Sequence, residues 1–464
     1  MIPATTYSGQ RVAVFGLGRT GVTSALSLAE GGASVLAWDD NSGSRDSAAD
    51  QGVPVADLRE TDWNTVDALL LSPGVPHNLP KPHWTADMAR RFGVPIISDI
   101  EVFAREVASS GAKVVAITGT NGKSTTTSLV GHILTSAGRE THVGGNIGRG
   151  VLDLAQPTAK AVYVLELSSY QLERAPSLHA DVAVLLNLSP DHLDRHGDMA
   201  GYEAAKRKIF SNQTDSDTAV LGVDDAVGKR IVSEMKAAGV QRVVPVSTIS
   251  ALAGGISAKG GVLFDGTGPK VERIFDLSAV RTLRGRHNHQ NAACAYAVCR
   301  ALGLSAPEIA RGLKTFPGLV HRMEWIAEAG GVQFVNDSKA TNADSARQAL
   351  AAYSNIYWIA GGLPKAGGLE PLSDLFDRVT KAYLIGAAGA EFARTLDAQG
   401  VAHEVSGEMD IAVMTAARDA LADGEEAVIL LSPACASFDQ FKDYEARGES
   451  FRNAVAKVLE AFKA

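Results

Sequence analysis

Short, unbroken apolar runs, each ending in a glycine-rich or polar turn, recur along this chain with helical stretches between them. Arg11-Val-Ala-Val-Phe15, Ser34-Val-Leu-Ala-Trp38 and Ala68-Leu-Leu-Leu71 form a first group, with a helical stretch over Val22–Glu30. Lys113-Val-Val-Ala-Ile117, Ala161-Val-Tyr-Val-Leu165 and Val182-Ala-Val-Leu-Leu186 form a second, closed by a helical stretch from Asn291 to Leu302. Val332–Val335, Ile356–Ile359, Ala382–Ile385 and Ala427–Leu431 form a third. Runs this short without polar alternation suit strands buried on both faces of a parallel sheet. The pattern predicts an α/β protein of three domains, 1–101, 102–318 and 319–464, with mostly parallel sheets. The Gly-, Ser- and Ala-rich stretch 247–275 reads as hairpins or surface loops of the middle domain.

Composition narrows the partners. At 464 residues the chain exceeds what one compact core supports. A formal net charge of -8 argues against a broad nucleic-acid surface but leaves small anionic substrates open. No apolar run approaches the roughly 20 residues that span a bilayer, and the N-terminus lacks a basic region followed by an apolar stretch. No nucleic acid, no membrane and a cytoplasmic location are expected. Cys294, Cys299 and Cys435 lack metal-type spacing and read as free thiols.

The chemistry concentrates where strands end. After Lys113–Ile117 comes Thr118-Gly-Thr-Asn-Gly-Lys-Ser-Thr125, then a helical run. A strand, a glycine loop and a helix start turn backbone N–H groups toward phosphate oxygens. In this reading Gly119 and Gly122 let the backbone turn, and Thr120, Asn121 and Thr125 complete the loop. Lys123 sits over the β- and γ-phosphates of ATP, and Ser124 offers a hydroxyl to Mg²⁺. The loop is shorter than the usual phosphate loop, with Ile117 where the first glycine would stand. Leu165 runs into Glu166-Leu-Ser-Ser-Tyr-Gln-Leu-Glu173, and Leu186 into Asn187-Leu-Ser-Pro-Asp-His-Leu-Asp-Arg-His-Gly197. Ligands bind beyond the carboxyl ends of open parallel sheets, so Glu166 and His192 belong at the same edge, as metal ligands beside the phosphates. Tyr202–Phe210 reads as a helix with Lys206 and Phe210 on one face, and by pattern alone Lys206 is a surface lysine.

The first domain holds Gly16-Leu-Gly-Arg-Thr-Gly21 between a strand and a helix, with Asp39 about 20 residues on. That spacing fits a nicotinamide dinucleotide. It fits the pyrophosphate of a UDP-sugar equally, and no hydride-transfer partner is identifiable downstream.

GTNGKST, ELSSYQLE, DHLDRHG and YEAAKRKIF, in this order and spacing, resemble the Mur ligases, and the likeness covers essentially the whole chain. The resemblance implies three α/β domains: a Rossmann-like domain for a UDP-sugar, a central P-loop-type ATPase domain and a Rossmann-like C-terminal domain for an amino acid. It implies an ATP-dependent carbon–nitrogen ligase working through an acyl phosphate. Two Mg²⁺ sites are expected, held by Ser124, Glu166, His192 and a Lys206 carried as its carbamate. Likeness places Arg19, Thr20, Asp39, Ser72 and Gly74 at the uridine diphosphate, and Asn146 at the sugar substrate. Asn288 and Asn291 match positions by the adenine nucleotide, Arg322 one that reaches the phosphates, and Asp337 one that binds the ribose. Lys339 matches a group for a substrate carboxylate and Thr341 one for the incoming amino acid.

Leu431-Ser-Pro-Ala-Cys-Ala-Ser-Phe-Asp-Gln-Phe-Lys-Asp-Tyr-Glu-Ala-Arg-Gly448 resembles the glutamate-adding members, where Ser437, Phe438 and Tyr444 match residues around the amino-acid side chain. Lys365 matches their γ-carboxylate lysine, although Leu-Pro-Lys-Ala-Gly-Gly-Leu-Glu370 departs from the usual pattern. The implied partners are UDP-N-acetylmuramoyl-L-alanine and D-glutamate, for peptidoglycan precursors, and a monomer is expected. Catalytic roles fall to Lys123, His192, Lys206, Arg322 and Lys339, and closure of the domains would keep water from the acyl phosphate. Other Mur ligases, folylpolyglutamate synthases, a nicotinamide oxidoreductase and a non-ligase ATPase are the alternatives.

Overall fold

β1 (Arg11–Phe15), β2 (Ser34–Trp38), β3 (Ala68–Leu71) and β4 (Ile96–Ile97) pair in the order β2-β1-β3-β4, all parallel. The structure is a computed structural model and describes residues 1–364 and 367–461. The helix Arg19–Glu30 begins ahead of the apolar period at Val22, because the turn after β1 feeds straight into it. Gly21 permits that approach: a Cβ there would lie 1.8 Å from the Gly16 carbonyl oxygen.

The second sheet has nine strands: β5 (Lys113–Thr118), β6 (Thr141–Gly145), β7 (Val162–Glu166), β8 (Val182–Leu185), β9 (Thr218–Gly222), β10 (Arg242–Ser247), β11 (Ile256–Lys259), β12 (Val262–Asp265) and β13 (Glu272–Asp276). Their order is β13-β12-β11-β10-β9-β8-β5-β7-β6, parallel from β6 to β11 and antiparallel at the β12–β13 end. The polar stretch 247–275 thus lengthens the sheet with hairpin strands. Every residue of β7, β8 and β9 is buried, which accounts for their lack of alternation. β5 lies between β7 and β8, and the chain moves first to one side of it and then to the other. That reversal opens a crevice at the carboxyl ends of these three strands. Both sheets fall within one compact unit, Met1–Leu277 with His289–Thr315.

The other compact unit comprises Ser278–Asn288 and the chain from Phe316 onward. Its sheet runs β14-β15-β19-β16-β17-β18, from β14 (Glu324–Ala329), β15 (Val332–Asn336), β16 (Ile356–Gly361), β17 (Val379–Ile385), β18 (His403–Gly407) and β19 (Ala427–Leu431). Only β14 is antiparallel to its neighbour. Apolar layers cover both faces, one including Trp358 and Leu430 and the other Tyr357 and Ile429. The Trp358 indole is fully buried and donates to the Ser432 carbonyl at 2.8 Å, so its polar edge costs little where its rings contribute most.

The fold is therefore α/β, with mostly parallel sheets and helices between strands. Among the described residues no helix is long and apolar enough to cross a membrane. Cys294, Cys299 and Cys435 are buried thiols.

Candidate functional site

The glycine loop joins β5 to the helix Lys123–Ser136. Gly119 has φ +153° and Gly122 φ +87°, and a Cβ on Gly122 would stand 2.3 Å from Asn291 Oδ1. Side chains are excluded here by backbone shape and by a neighbour. Gly122 occupies the N-cap and no side chain caps the helix start, which leaves first-turn N–H groups without intrahelical acceptors. The loop is braced from β8: Thr120 N donates to the Asn187 carbonyl at 3.0 Å, and Asn121 N donates to Asn187 Oδ1 at 2.9 Å. The Lys123 ammonium donates to the carbonyls of Gly119 and Thr120, at 3.0 and 2.8 Å. Its charge is held on the loop itself. Ser124 and Thr125 are buried beside it.

Glu166 ends β7 opposite Ile117 of β5. It is buried; Oε1 accepts from Asn146 Nδ2 at 3.0 Å, while Oε2 is buried without a hydrogen-bond partner. The carboxylate is thus enclosed by the sheet edge and not solvated. The surface reading of Lys206 is corrected. Its side chain is 2% exposed, and Nζ donates to the Gly119 carbonyl at 2.9 Å and Thr118 Oγ1 at 3.3 Å. The helix Met199–Arg207 turns inward here because Tyr202, also buried, anchors it against Thr120 Oγ1 at 3.3 Å. Burial, reinforced by the Lys123 charge, lowers the Lys206 pKa to about 7. His192 occupies a left-handed turn at φ 54°, with Nε2 3.3 Å from Asp191 Oδ2 and 48% of its side chain exposed. Partial burial and the nearby lysines push its pKa down, which favours the neutral imidazole.

In the first sheet, Asp39 shapes the glycine loop: its carboxylate accepts from Leu17 N at 2.7 Å and from Asn41 N at 2.9 Å. Ser72 Oγ donates to the Gly16 carbonyl at 2.7 Å. Gly74 follows in the same turn, while Arg19 is exposed and Thr20 half-buried at the start of the adjoining helix.

The second unit gathers its own cluster. Asp337 is buried after β15, accepting from Ser432 Oγ at 2.9 Å and Met323 N at 3.1 Å. Arg322 Nε is buried without a hydrogen-bond partner. Lys339 Nζ lies 5.3 Å from the centre of the Tyr444 ring, and Thr341 N donates to the Lys339 carbonyl. Ser437 is buried, whereas Phe438 is 70% exposed. Asn288 donates to the Arg284 carbonyl at 2.9 Å. Lys365 lies outside the described residues.

Residues 117–299 match the Mur ligase middle domain, and residues 321–435 match the Mur ligase glutamate ligase domain. The UDP-N-acetylmuramoylalanine--D-glutamate ligase of Caulobacter vibrioides is 56% identical, across 98% of this chain and 97% of its own. The chain belongs to the Mur ligase family. The ligase of the same name from Phenylobacterium zucineum is 55% identical over 99% of both chains. A solved Thermotoga maritima UDP-N-acetylmuramate-alanine ligase covers 97% of this chain and 99% of its own at a TM-score of 0.58. At 17% identity that likeness speaks for the Mur ligase fold alone.

Mur ligases use ATP and Mg²⁺, and the β5–β7 edge suits a hard divalent cation. The buried, unpartnered Glu166 Oε2 and the Ser124 hydroxyl are both oxygen donors, the type Mg²⁺ prefers. Among the described residues no group of three His, Cys, Asp or Glu side chains could hold a metal by themselves.

Several supporting residues lie inside the sequence motifs but carry no role that the motifs reveal. Asn187 and Tyr202 brace the glycine loop, and Ser432 holds Asp337, yet only contacts between distant segments reveal them. Arg447 stands within the amino-acid motif but is fully buried. It donates to Ser338 Oγ, the Ser338 carbonyl and the Cys435 carbonyl at 3.0, 2.8 and 3.0 Å, tying the loops after β15 and β19 together.

Burial raises the Asp337 pKa from 3.8 to about 7. Between those values the folded chain holds a proton that the unfolded chain has lost, so this group makes stability fall as pH rises through that window. Asp337→Asn keeps the shape without the titration. Its melting temperature is expected to fall less than the parent's between those pH values in thermal denaturation. Parallel melting curves for the two proteins would contradict this.

Proposed function

We propose that this chain joins D-glutamate to UDP-N-acetylmuramoyl-L-alanine with ATP, through an acyl phosphate, in the synthesis of peptidoglycan precursors in the cytoplasm. The observation that carries the reading is the gathering of the glycine loop, Glu166 and buried Lys206 at one sheet edge, in a chain more than half identical to ligases of that name. Residues 1–101, 102–318 and 319–464 then serve the UDP-sugar, ATP and the amino acid.

A carboxylate resists amines at neutral pH because oxide is a poor leaving group. In this mechanism the alanyl carboxylate oxygen attacks the γ-phosphorus, the bond to the ADP oxygen breaks, and an acyl phosphate forms. The glutamate amine attacks the acyl carbon, phosphate departs, and the amine proton leaves. Such chemistry depends on alignment and on neutralising charge. The loop amides and Lys123 bind the β- and γ-phosphates, while Asn291 lies against the loop at Gly122. His192, with its pKa lowered, presents the neutral imidazole that a metal ligand requires, and the amine proton passes to water. Arg322 and Lys339 are the second unit's cations for phosphate and carboxylate, Asp337 its ribose ligand, and Ser437, Phe438 and Tyr444 its contacts to glutamate. Mg²⁺, when bound by Ser124, Glu166, His192 and the Lys206 carbamate over two sites, screens the triphosphate charge. The chain works as a monomer.

ADP release with UDP-N-acetylmuramoyl-L-alanine and D-glutamate, L-glutamate, diaminopimelate or lysine tests the whole reading. Release should require both the UDP-sugar and D-glutamate. Equal release without the UDP-sugar, or with lysine in place of D-glutamate, would overturn it.

A further inference from the structure

Two arginines from the middle sheet's loops grip the turn that follows β3. Arg174 lies just beyond the helix Ser169–Leu172, which β7 leads into after Glu166. Its Nη1 donates to the Leu71 carbonyl at 2.7 Å and lies 3.5 Å from the Ser72 carbonyl. Arg195, three positions after His192, donates Nη1 to the Gly74 carbonyl at 3.2 Å. Its guanidinium stacks 4.5 Å from the centre of the Tyr170 ring, which fixes its direction. Ser72 then passes the constraint on: its hydroxyl donates to the Gly16 carbonyl at 2.7 Å.

Arg174 is an expensive choice for mere filling. It is 2% exposed, and Nη2 is buried without a hydrogen-bond partner. Burial of a guanidinium carries a desolvation cost that an apolar side chain of similar length avoids. What the guanidinium supplies, and methionine cannot, is a fixed donor aimed at the carbonyls ending β3. The anchor behind it is firm: Ser98 N and Oγ donate to the Arg174 carbonyl at 2.9 and 3.2 Å.

We propose that Arg174 and Arg195 are positioning residues that set the Ser72–Gly74 turn, and through Ser72 the Gly16 loop, to receive the UDP-sugar. The inference rests on the reading of that loop as the UDP-sugar pocket. The loops leaving β7 and β8 thereby do two things at once. They carry Glu166 and His192, and they hold the acceptor's pocket in register with the phosphate site.

Steady-state kinetics on the full chain, with UDP-N-acetylmuramoyl-L-alanine, ATP and D-glutamate each varied in turn, test this. Arg174→Met should raise KM for the UDP-sugar about tenfold and leave the other two KM values within about twofold. Arg174→Lys, which keeps a donor, should recover much of the loss. Arg195→Met should show the same split, and the double variant less than the product of the two, because both side chains hold one turn. A drop in melting temperature with all three KM values unchanged, or an equal rise in all three, overturns the proposal. Should Arg174→Met fail to fold, Arg195→Met alone decides by the same criterion. Failure of the parent protein to need the UDP-sugar would remove the underlying reading. A parent that needs it, with unshifted variants, removes only this inference.

Discussion

Lys123→Ala should lower amide formation by about a thousandfold while leaving the fold intact, the scale expected when a charged group that meets a transferring phosphoryl is lost. The side chain follows Gly122 at the head of a helix, and its ammonium already lies on the loop carbonyls of Gly119 and Thr120. The backbone cradle needs no lysine to form, since Asn187 and the positive φ values of Gly119 and Gly122 shape it. Nucleotide affinity should therefore fall much less than turnover. Rapid-quench measurement of acyl-phosphate formation, beside nucleotide binding by calorimetry, separates the two. A variant that forms the amide at the parent's rate would dismiss this loop as the phosphoryl-transfer site.

Lys206→Ala should lose at least about a hundredfold in turnover, from loss of a ligand and of loop order together. Short carboxylic acids added to the assay should restore part of it. The parent side chain combines burial with a pKa lowered to about 7, so a neutral amine is available at mildly alkaline pH. Such an amine adds CO₂ to give an anionic carbamate with release of a proton. Acid opposes this by protonating nitrogen, so parent activity should fall below that pKa and respond there to added bicarbonate. An untreated Lys206→Ala variant with full activity would dispose of the carbamate reading.

Much of the local structure was legible because local physics writes it into the chain. Buried parallel strands need continuous apolar runs, and β1, β2, β3 and β19 match their runs residue for residue. Strands with polar or short sequences, such as β4 and β6, gave no such signal and depend on their neighbours for pairing. The strand-to-glycine-to-helix order located the phosphate loop, and the sequence of motifs along the chain identified the family and hence the chemistry.

Sequence alone determined where the chain turns, which stretches are buried as strands and which polar clusters follow them, because each depends on neighbours a few residues away. The tertiary structure decided the state of those groups. Lys206 reads as an ordinary surface lysine by pattern alone until Tyr202 and the Gly119 carbonyl enclose it, and only beside β6 and β7 is Glu166 seen to be buried with one oxygen unpartnered. Arg174 meets Leu71 across 103 residues of chain. Periodicity carries no record of such meetings, since side-chain charge, desolvation and donor direction are set by whatever the fold brings alongside.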